Sequence, residues 1–486
     1  MRIAGLHGAA PHAMICHDGP VIDRLSPADS SFLYLEEAHT PTHVGQVLIF
    51  DAPADYDTHA LSMAISARVE RMPRYRQRVH SLPGRVVSPV WVDDTEFDLD
   101  YHVRRSALPA PGDRAQLQDF VARVCARPLD RHRPLWEVYV VEGLDDGRIA
   151  VISKVHQALI ESGDITGLSS EARAQDAPGA GWTPTPGPSA RELLSDTAIS
   201  LVKRPGSVVG TVRGGLAELR ATAGRVGRVA GTVAKAAARP ASGRTFAVES
   251  AGARRYLMVD GSLADLREVR KAMSTGGHKR PSLHAVALTV VTGGLRIWLQ
   301  SRGEHVPAQR SVRAMVPVSV ARDGTPYGST VEALFIDLPV GESSPAMRLR
   351  QIQFALDHQL AQHSGVRAAD LMGMAGFAPP ALHSLGVRVG ASLSTRLFDL
   401  VITNVPGPQR QMYADGLPLV ASYPVLPLTK GHAMAIGMTS YLGAMHYGVL
   451  ADREAIPDLD QLRAAIAEAV EELLHWVADP FGTEGN

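Results

Sequence analysis

Residues 154–167 read Lys-Val-His-Gln-Ala-Leu-Ile-Glu-Ser-Gly-Asp-Ile-Thr-Gly. The apolar run Ile149-Ala150-Val151-Ile152-Ser153 leads straight into His156. That is the pattern of a buried strand ending beside a turn, with an imidazole at its tip. A neutral imidazole can take a proton from an alcohol near pH 7, so proton abstraction is the chemistry this stretch suggests. The plainer alternative is a hydrogen-bonded histidine closing a strand. Glu161 and Asp164 follow as acids that either orient the imidazole or are solvated in the turn. Gln157 offers no base, because an amide has no lone pair that titrates near neutrality. Neighbours on an extended segment also point to opposite faces, so His156 does not reach Gln157's side by adjacency.

Positioning such a group needs a mixed scaffold, and the periodicities supply one. In residues 25–170, His43 to Asp51 alternates as a strand, and Asp57 to Arg71 and Ala115 to Ala126 have helical spacing. Pro134-Leu135-Trp136-Glu137 precedes a strand, Val138 to Glu142. Asp145-Asp146-Gly147-Arg148 then reads as a hairpin turn into the strand that carries His156. Residues 251–486 form a second α/β block. It holds strands near Arg255–Val259, Val312–Val320, Val331–Val340, Leu400–Thr403, Ala433–Tyr441 and Met445–Ala451. Its helices are expected at Ser262–Met273, Ser282–Gln300, Ala346–His363 and Asp458–Trp476.

Residues 1–24 read as a loose extension, and 171–250 as the join between the blocks. Within it, 172–195 is rich in Pro and Gly, as linkers are. The segment Lys203 to Arg239 has eight Lys or Arg residues against one acid, Glu218. Its apolar residues recur at three–four spacing, which predicts an amphipathic helix with a basic face. Such a helix either bridges domains or rests on anionic lipid headgroups. It has no aromatic residues, which argues against nucleic acid.

The chain's 486 residues are 45 % hydrophobic and 20 % charged, with a net charge of -1, so no global pull toward polyanions exists. Its two cysteines, Cys16 and Cys125, fit a reduced compartment. The longest apolar stretch, Ala285 to Leu299, is interrupted by Gly293, Gly294 and Arg296 and is short for a membrane span. Charged and histidine residues break any apolar core near the N-terminus. The expectation is a cytoplasmic protein with, at most, peripheral contact at the inner membrane face.

Seven segments in order resemble the bacterial wax ester synthase/diacylglycerol acyltransferase family. They are Leu25-Ser26-Pro27-Ala28-Asp29, Thr42-His43-Val44-Gly45, Arg133-Pro134-Leu135-Trp136-Glu137, the His156 stretch, Val316-Pro317-Val318-Ser319, Asn404-Val405-Pro406-Gly407-Pro408 and Ala451-Asp452-Arg453. The resemblance implies an α/β (α+β) fold of two chloramphenicol-acetyltransferase-like domains, joined by a helical linker, with an inter-domain tunnel. It implies acyl transfer from acyl-CoA, as co-substrate and without a cofactor or metal, to diacylglycerol or a long-chain alcohol.

The family motif, His-His-x-x-x-Asp-Gly, uses its second histidine as base. Here His156 matches the first, Gln157 takes the second position, Glu161 replaces Asp and Ser162 replaces Gly. The resemblance therefore leaves His156 as the expected proton acceptor, with Glu161 or Asp164 as the structural acid. An alternative is a relative weakened in catalysis that binds lipid or a partner enzyme. Pro134, Leu135, Trp136, Asn404, Pro406 and Gly407 are expected as scaffold. Leu283 and His284 replace an Asn-Asp pair, and Gly328-Ser329 a Gly-Asn pair. By position in the pattern His43, His284, His432 and His446 are candidates to line the tunnel, each with a structural role as the plainer reading.

Overall fold

The alternating segments pair into two large sheets whose inner faces share a core. The computed structural model describes residues 22–83, 87–162, 168, 182–195, 245–248, 252–273, 280–321, 329–361, 366–367 and 396–479. Asp164, most of the 1–24 extension and the whole of 203–239 lie outside the described residues.

The first part of the chain forms β1 (Asp23–Arg24), α1 (Pro27–Leu35), β2 (His43–Phe50), α2 (Thr58–Glu70), β3 (Gln77–His80) and β4 (Val90–Asp93). It continues through α3 (Leu99–His102), β5 (Val103–Ala107), α4 (Arg114–Ala126), β6 (Trp136–Glu142) and β7 (Ile149–His156). The second part forms β8 (Arg254–Ser262), α5 (Leu263–Ala272), α6 (Leu283–Ser301), β9 (Val312–Ala321), β10 (Ser329–Leu338), α7 (Pro345–Ala361) and β11 (Val366–Arg367). It ends with β12 (Leu400–Pro406), β13 (Tyr413–Ala414), β14 (Leu417–Val425), β15 (Met434–Tyr441), β16 (Ala444–Asp452) and α8 (Gln461–Ala478).

Local chemistry fixes the helix starts. Ser26 caps α1 by accepting the Asp29 N–H, and Pro27 opens its first turn. Asp113 and Gln116 form a capping box at α4. Ser262 caps α5, as its position suggests, and Ser282 caps α6.

One sheet runs β13-β14-β2-β7-β6-β5, and the other β11-β10-β9-β12-β15-β16-β8. The sheets do not divide the chain at residue 251. Strand β14 pairs antiparallel with β2, so a segment from the second half completes the first sheet. Without it, β2 would leave an open edge of unpaired backbone groups. The sequence reading missed β14, although Leu417, Leu419, Ala421, Tyr423 and Val425 alternate and are all buried. Pro418 and Pro424 mask that alternation, and a register shift between Leu419 and Ala421 breaks it.

Three cores result. On one face of the first sheet, Leu48, Phe50, Trp136, Val138 and Val151 pack with Leu61, Ile65 and Val69 of α2. On the other face Val47, Ile49, Tyr139 and Ile152 meet α4 and, from the second sheet, Tyr256, Met258, Val401, Ala435 and Leu450. The outer face of the second sheet is covered by α5, α6, α7 and α8.

Helix α6 has 19 residues, longer than the apolar stretch suggests, and by length and composition it could cross a membrane. Its place in this fold is the core. Gly293 and Gly294, read as interruptions, are contact points: an added Cβ would lie 2.8 Å from Ala469 Cβ and 2.8 Å from Ile466 Cγ1 of α8. Close helix packing, not solvent exposure, requires those glycines.

Candidate active site

The His156 strand end is built from backbone pairing outward. In the β2/β7 ladder His43 lies opposite His156, and Gly45 opposite Lys154. Opposed residues of an antiparallel pair project to one face. That face is the one that also carries Ile152 and Ala150, turned toward α4 and the second sheet. The His156 N–H donates to the Leu135 carbonyl and the Gln157 N–H to the Thr42 carbonyl, so both neighbouring strands fix the tip. Trp136, fully buried, donates its Nε1–H to the Tyr75 carbonyl at 2.7 Å and stacks on His102. Pro134-Leu135-Trp136 thus packs at the base of the same strand end.

The His156 ring is committed on both nitrogens. Its Nδ1 accepts the Ala158 N–H at 3.1 Å. A backbone amide only donates, so Nδ1 carries no proton and the neutral ring's proton sits on Nε2. That Nε2–H donates to Thr42 Oγ1, 2.9 Å away, and Thr42 passes its own hydrogen to the Phe32 carbonyl. Burial, then the charge of Arg131, hold the imidazole down to about 3. To accept a proton, His156 must first release the Ala158 amide. As arranged, it ties the turn after β7 to the entry of β2.

His43 differs. It is buried, and its Nδ1 has no hydrogen-bond partner. Burial, then the charges of Lys154 and His156, keep it well below 6.5, against an opposing hydrogen bond to the Cys125 carbonyl. Lys154 is buried beside it, donating to the Arg127 carbonyl at 2.6 Å and paired with Glu137 at 3.5 Å. Burial lowers the Lys154 ammonium, and it pushes the buried Cys125 thiol up to about 12, so that thiol is no ready nucleophile. Gln157 opens a 3-10 turn, Gln157–Ser162, in which Glu161 sits on the fourth residue after Gln157.

The remaining segments fall elsewhere. Asn404 lies within β12 with its amide nitrogen 3.1 Å from His284 Nδ1, at the first turn of α6. The His284 Nε2 is buried without a partner, and burial lowers the ring's affinity for a proton. Pro406 closes the β12/β15 ladder opposite Ser440, and a Cβ on Gly407 would lie 2.3 Å from the Ser440 carbonyl, which explains that glycine. Asp452 pairs with buried Arg254 at 3.3 Å, and Arg254 also donates to the His39 carbonyl, pinning the second sheet to the first part of the chain. His432 has both ring nitrogens against protein oxygens and stacks on Phe398.

A second polar cluster, not anticipated from the sequence, sits between the sheets. Arg114 of α4 reaches Asp260 at 2.7 Å and Tyr423 at 3.1 Å. Tyr423 donates to Asp260 at 2.5 Å, and His446 Nδ1 lies 3.1 Å from the same carboxylate. Four separate elements, α4, β8, β14 and β16, supply one residue each, which no local motif could reveal. Among the described residues no group of three or more His, Cys, Asp or Glu is arranged to hold a metal ion.

The family model described as the wax ester synthase/diacylglycerol acyltransferase catalytic domain matches residues 25–276, and that of the WS/DGAT C-terminal domain matches 327–474. The chain belongs to the wax ester synthase/diacylglycerol acyltransferase family. The probable diacylglycerol O-acyltransferase tgs2 of Mycobacterium tuberculosis is 30% identical over 463 residues, spanning 93% of this chain and 99% of the relative. The tgs1 protein of the same organism, likewise described as a probable diacylglycerol O-acyltransferase, is 31% identical over 464 residues, 93% and 96% of the two chains.

Among solved structures, the wax ester synthase/diacylglycerol acyltransferase from Marinobacter aquaeolei VT8 aligns with a TM-score of 0.64 at 24% identity, covering 94% of this chain and all of that one. The first condensation domain of the calcium-dependent antibiotic synthetase aligns at 0.57 and 18% identity, over 95% of this chain and 98% of its own. The fold is therefore the two-domain α/β architecture of this family and of condensation domains, as the ordered segments implied. Within the wax ester synthase/diacylglycerol acyltransferase family, this member carries Gln157 directly after His156.

Proposed function

We propose that this protein is an acyl-CoA-dependent O-acyltransferase that converts diacylglycerol to triacylglycerol, with long-chain alcohols as a second acceptor class. The observation that carries this reading is the full-length match to relatives described as diacylglycerol O-acyltransferases, spanning 93% of the chain. In the reaction the acceptor hydroxyl attacks the thioester carbonyl. The new C–O bond forms, the C–S bond breaks, and the hydroxyl proton ends on the departing CoA sulfur. The reaction centre in this reading is the β2/β7 strand end, where Thr42, His43, His156 and Gln157 meet.

His156 in this scheme holds the site's shape, through Ala158 and Thr42. Glu161, in the turn that follows, and Asp164, further along, remain the candidates for the structural acid. The basic segment 203–239 supports peripheral contact with anionic lipid at the inner membrane face, where diacylglycerol resides. The test is incubation of the purified full-length protein with labelled acyl-CoA and either diacylglycerol or hexadecanol. Labelled triacylglycerol with stoichiometric CoA release is the expected result, and no labelled ester with either acceptor would reject the reading. For the membrane contact, flotation with anionic liposomes should weaken when Arg213, Arg220 and Arg228 are reversed in charge. An unchanged flotation profile would reject that part.

A further inference from the structure

We propose that His43 is the proton acceptor of this enzyme, taking over the task that Gln157 has no group to perform. The inference rests on the acyltransferase reading above and concerns the same strand end. His43 and His156 are paired across β2 and β7 and share a face, so the two imidazoles bracket one position in the fold. His156 has no open lone pair, because Nδ1 is held by the Ala158 amide and Nε2 bears the proton given to Thr42. In His43 the state is reversed. Nδ1 is buried and unpartnered, which leaves Nε2 as the nitrogen facing the Cys125 carbonyl. A carbonyl only accepts, so the ring must present Nε2–H to it. That contact fixes the tautomer with a free lone pair on Nδ1, the arrangement a general base needs.

The surroundings suit brief proton custody. Burial first, and then the positive charges of Lys154 and Arg254, disfavour protonation of His43, so it rests neutral. During transfer the acceptor's O–H proton moves to Nδ1 as oxygen attacks the thioester carbon. The C–S bond then breaks, and the thiolate, a far stronger base than this imidazole, takes the proton from Nδ1 and leaves as the thiol. The ring returns to its starting tautomer, with no other reactant needed. Gly45, the next residue of β2 on that face, adds no side chain beside the ring.

The test compares the full-length wild type with His43→Gln, using acyl-CoA and dispersed diacylglycerol and following CoA release and triacylglycerol together. The expected loss is at least about 100-fold in kcat, the usual range for removing a general base, with KM for acyl-CoA within about threefold. A His43→Gln protein that folds and keeps kcat within about threefold of a turning-over wild type would overturn the role of His43 and leave the acyltransferase reading standing. A wild type without turnover would overturn both. Should His43→Gln not fold, 15N-histidine spectra of the wild type decide: an Nε2–H tautomer with bare Nδ1 is expected, and an Nδ1–H tautomer overturns the proposal.

Discussion

Two polar groups lie on the inner face between the sheets, and they use histidine in opposite ways. At the β2/β7 strand end, His43 and His156 come from one sheet, and among the described residues no carboxylate is hydrogen-bonded to either ring, so burial keeps them neutral. In the Arg114–Asp260–Tyr423–His446 cluster, the histidine faces a carboxylate, and the partners come from four elements spread over both parts of the chain. The first arrangement keeps imidazoles deprotonated in a dry place, which suits proton transfer. The second spends its hydrogen bonds across a join and so favours cohesion. A histidine's neighbours, rather than its burial alone, decide which service it performs.

Acid should separate the two groups most strongly. His156 is held down to about 3 and His102 to about 4, both by burial first, and burial lowers His43, His284 and His432 as well. An unfolded chain takes up these protons near pH 6.5. Their contribution to stability is therefore complete above about pH 6.5 and is lost as the pH falls toward the folded values. Each such histidine costs up to about 1.4 kcal/mol per pH unit in that window. Asp260 behaves oppositely: burial raises it, but hydrogen bonds from His446, Arg114 and Tyr423 outweigh this and hold it well below the usual carboxylate range. Its contribution is intact above about pH 3.9 and is lost only below that. Urea midpoints should fall by several kcal/mol equivalents between pH 7 and pH 5. Midpoints that hold steady to pH 5 would show that the histidines are not kept neutral.

His156→Ala is the next test in size. It strands the buried Ala158 amide and leaves space beside Thr42, an expected loss of about 3 kcal/mol by urea unfolding. His156→Asn should recover part of this, because its amide oxygen can accept from Ala158. If instead His156→Ala keeps full stability but abolishes turnover, His156 is the base and the contrast drawn with His43 fails. Gln157→His adds an imidazole at the position that the resemblance assigns to the base, and kcat should rise by about tenfold, toward the range of an added general base. An unchanged kcat would mean that residue 157 faces away from the reacting atoms.

Much of this was legible in sequence for a physical reason: local signals report local structure. The α5 start follows from Ser262, and the β6/β7 hairpin from the Asp145–Gly147 turn, where Gly147 adopts φ 74°. The ordered segments implied the family and its two-domain fold. What stayed hidden is non-local. Strand β14 joins a sheet begun more than 360 residues earlier, pairing Val425 with Gly45. The state of the two histidines depends on Ala158, Thr42 and Cys125, whose amide, hydroxyl and carbonyl carry no sequence signature of their roles. The Asp260 cluster likewise needs four elements in place before its charges can meet.

The smallest expected effect tests the cohesive side of the comparison. His446 donates from Nδ1 to Asp260, while its Nε2 is buried without a partner. On geometry alone, that is an imidazole oriented by a carboxylate with a lone pair open, as in a catalytic dyad. The rest of the cluster argues otherwise. Asp260 already serves Arg114 and Tyr423, and its side chain is 48% exposed, so water screens the group. His446→Gln should therefore lower stability by about 1 kcal/mol or less, since a half-exposed polar contact rarely contributes more. Turnover should stay within about twofold, because no general base is removed. A hundredfold fall in kcat with unchanged unfolding would move the base to His446 and reverse the assignment of the two sites.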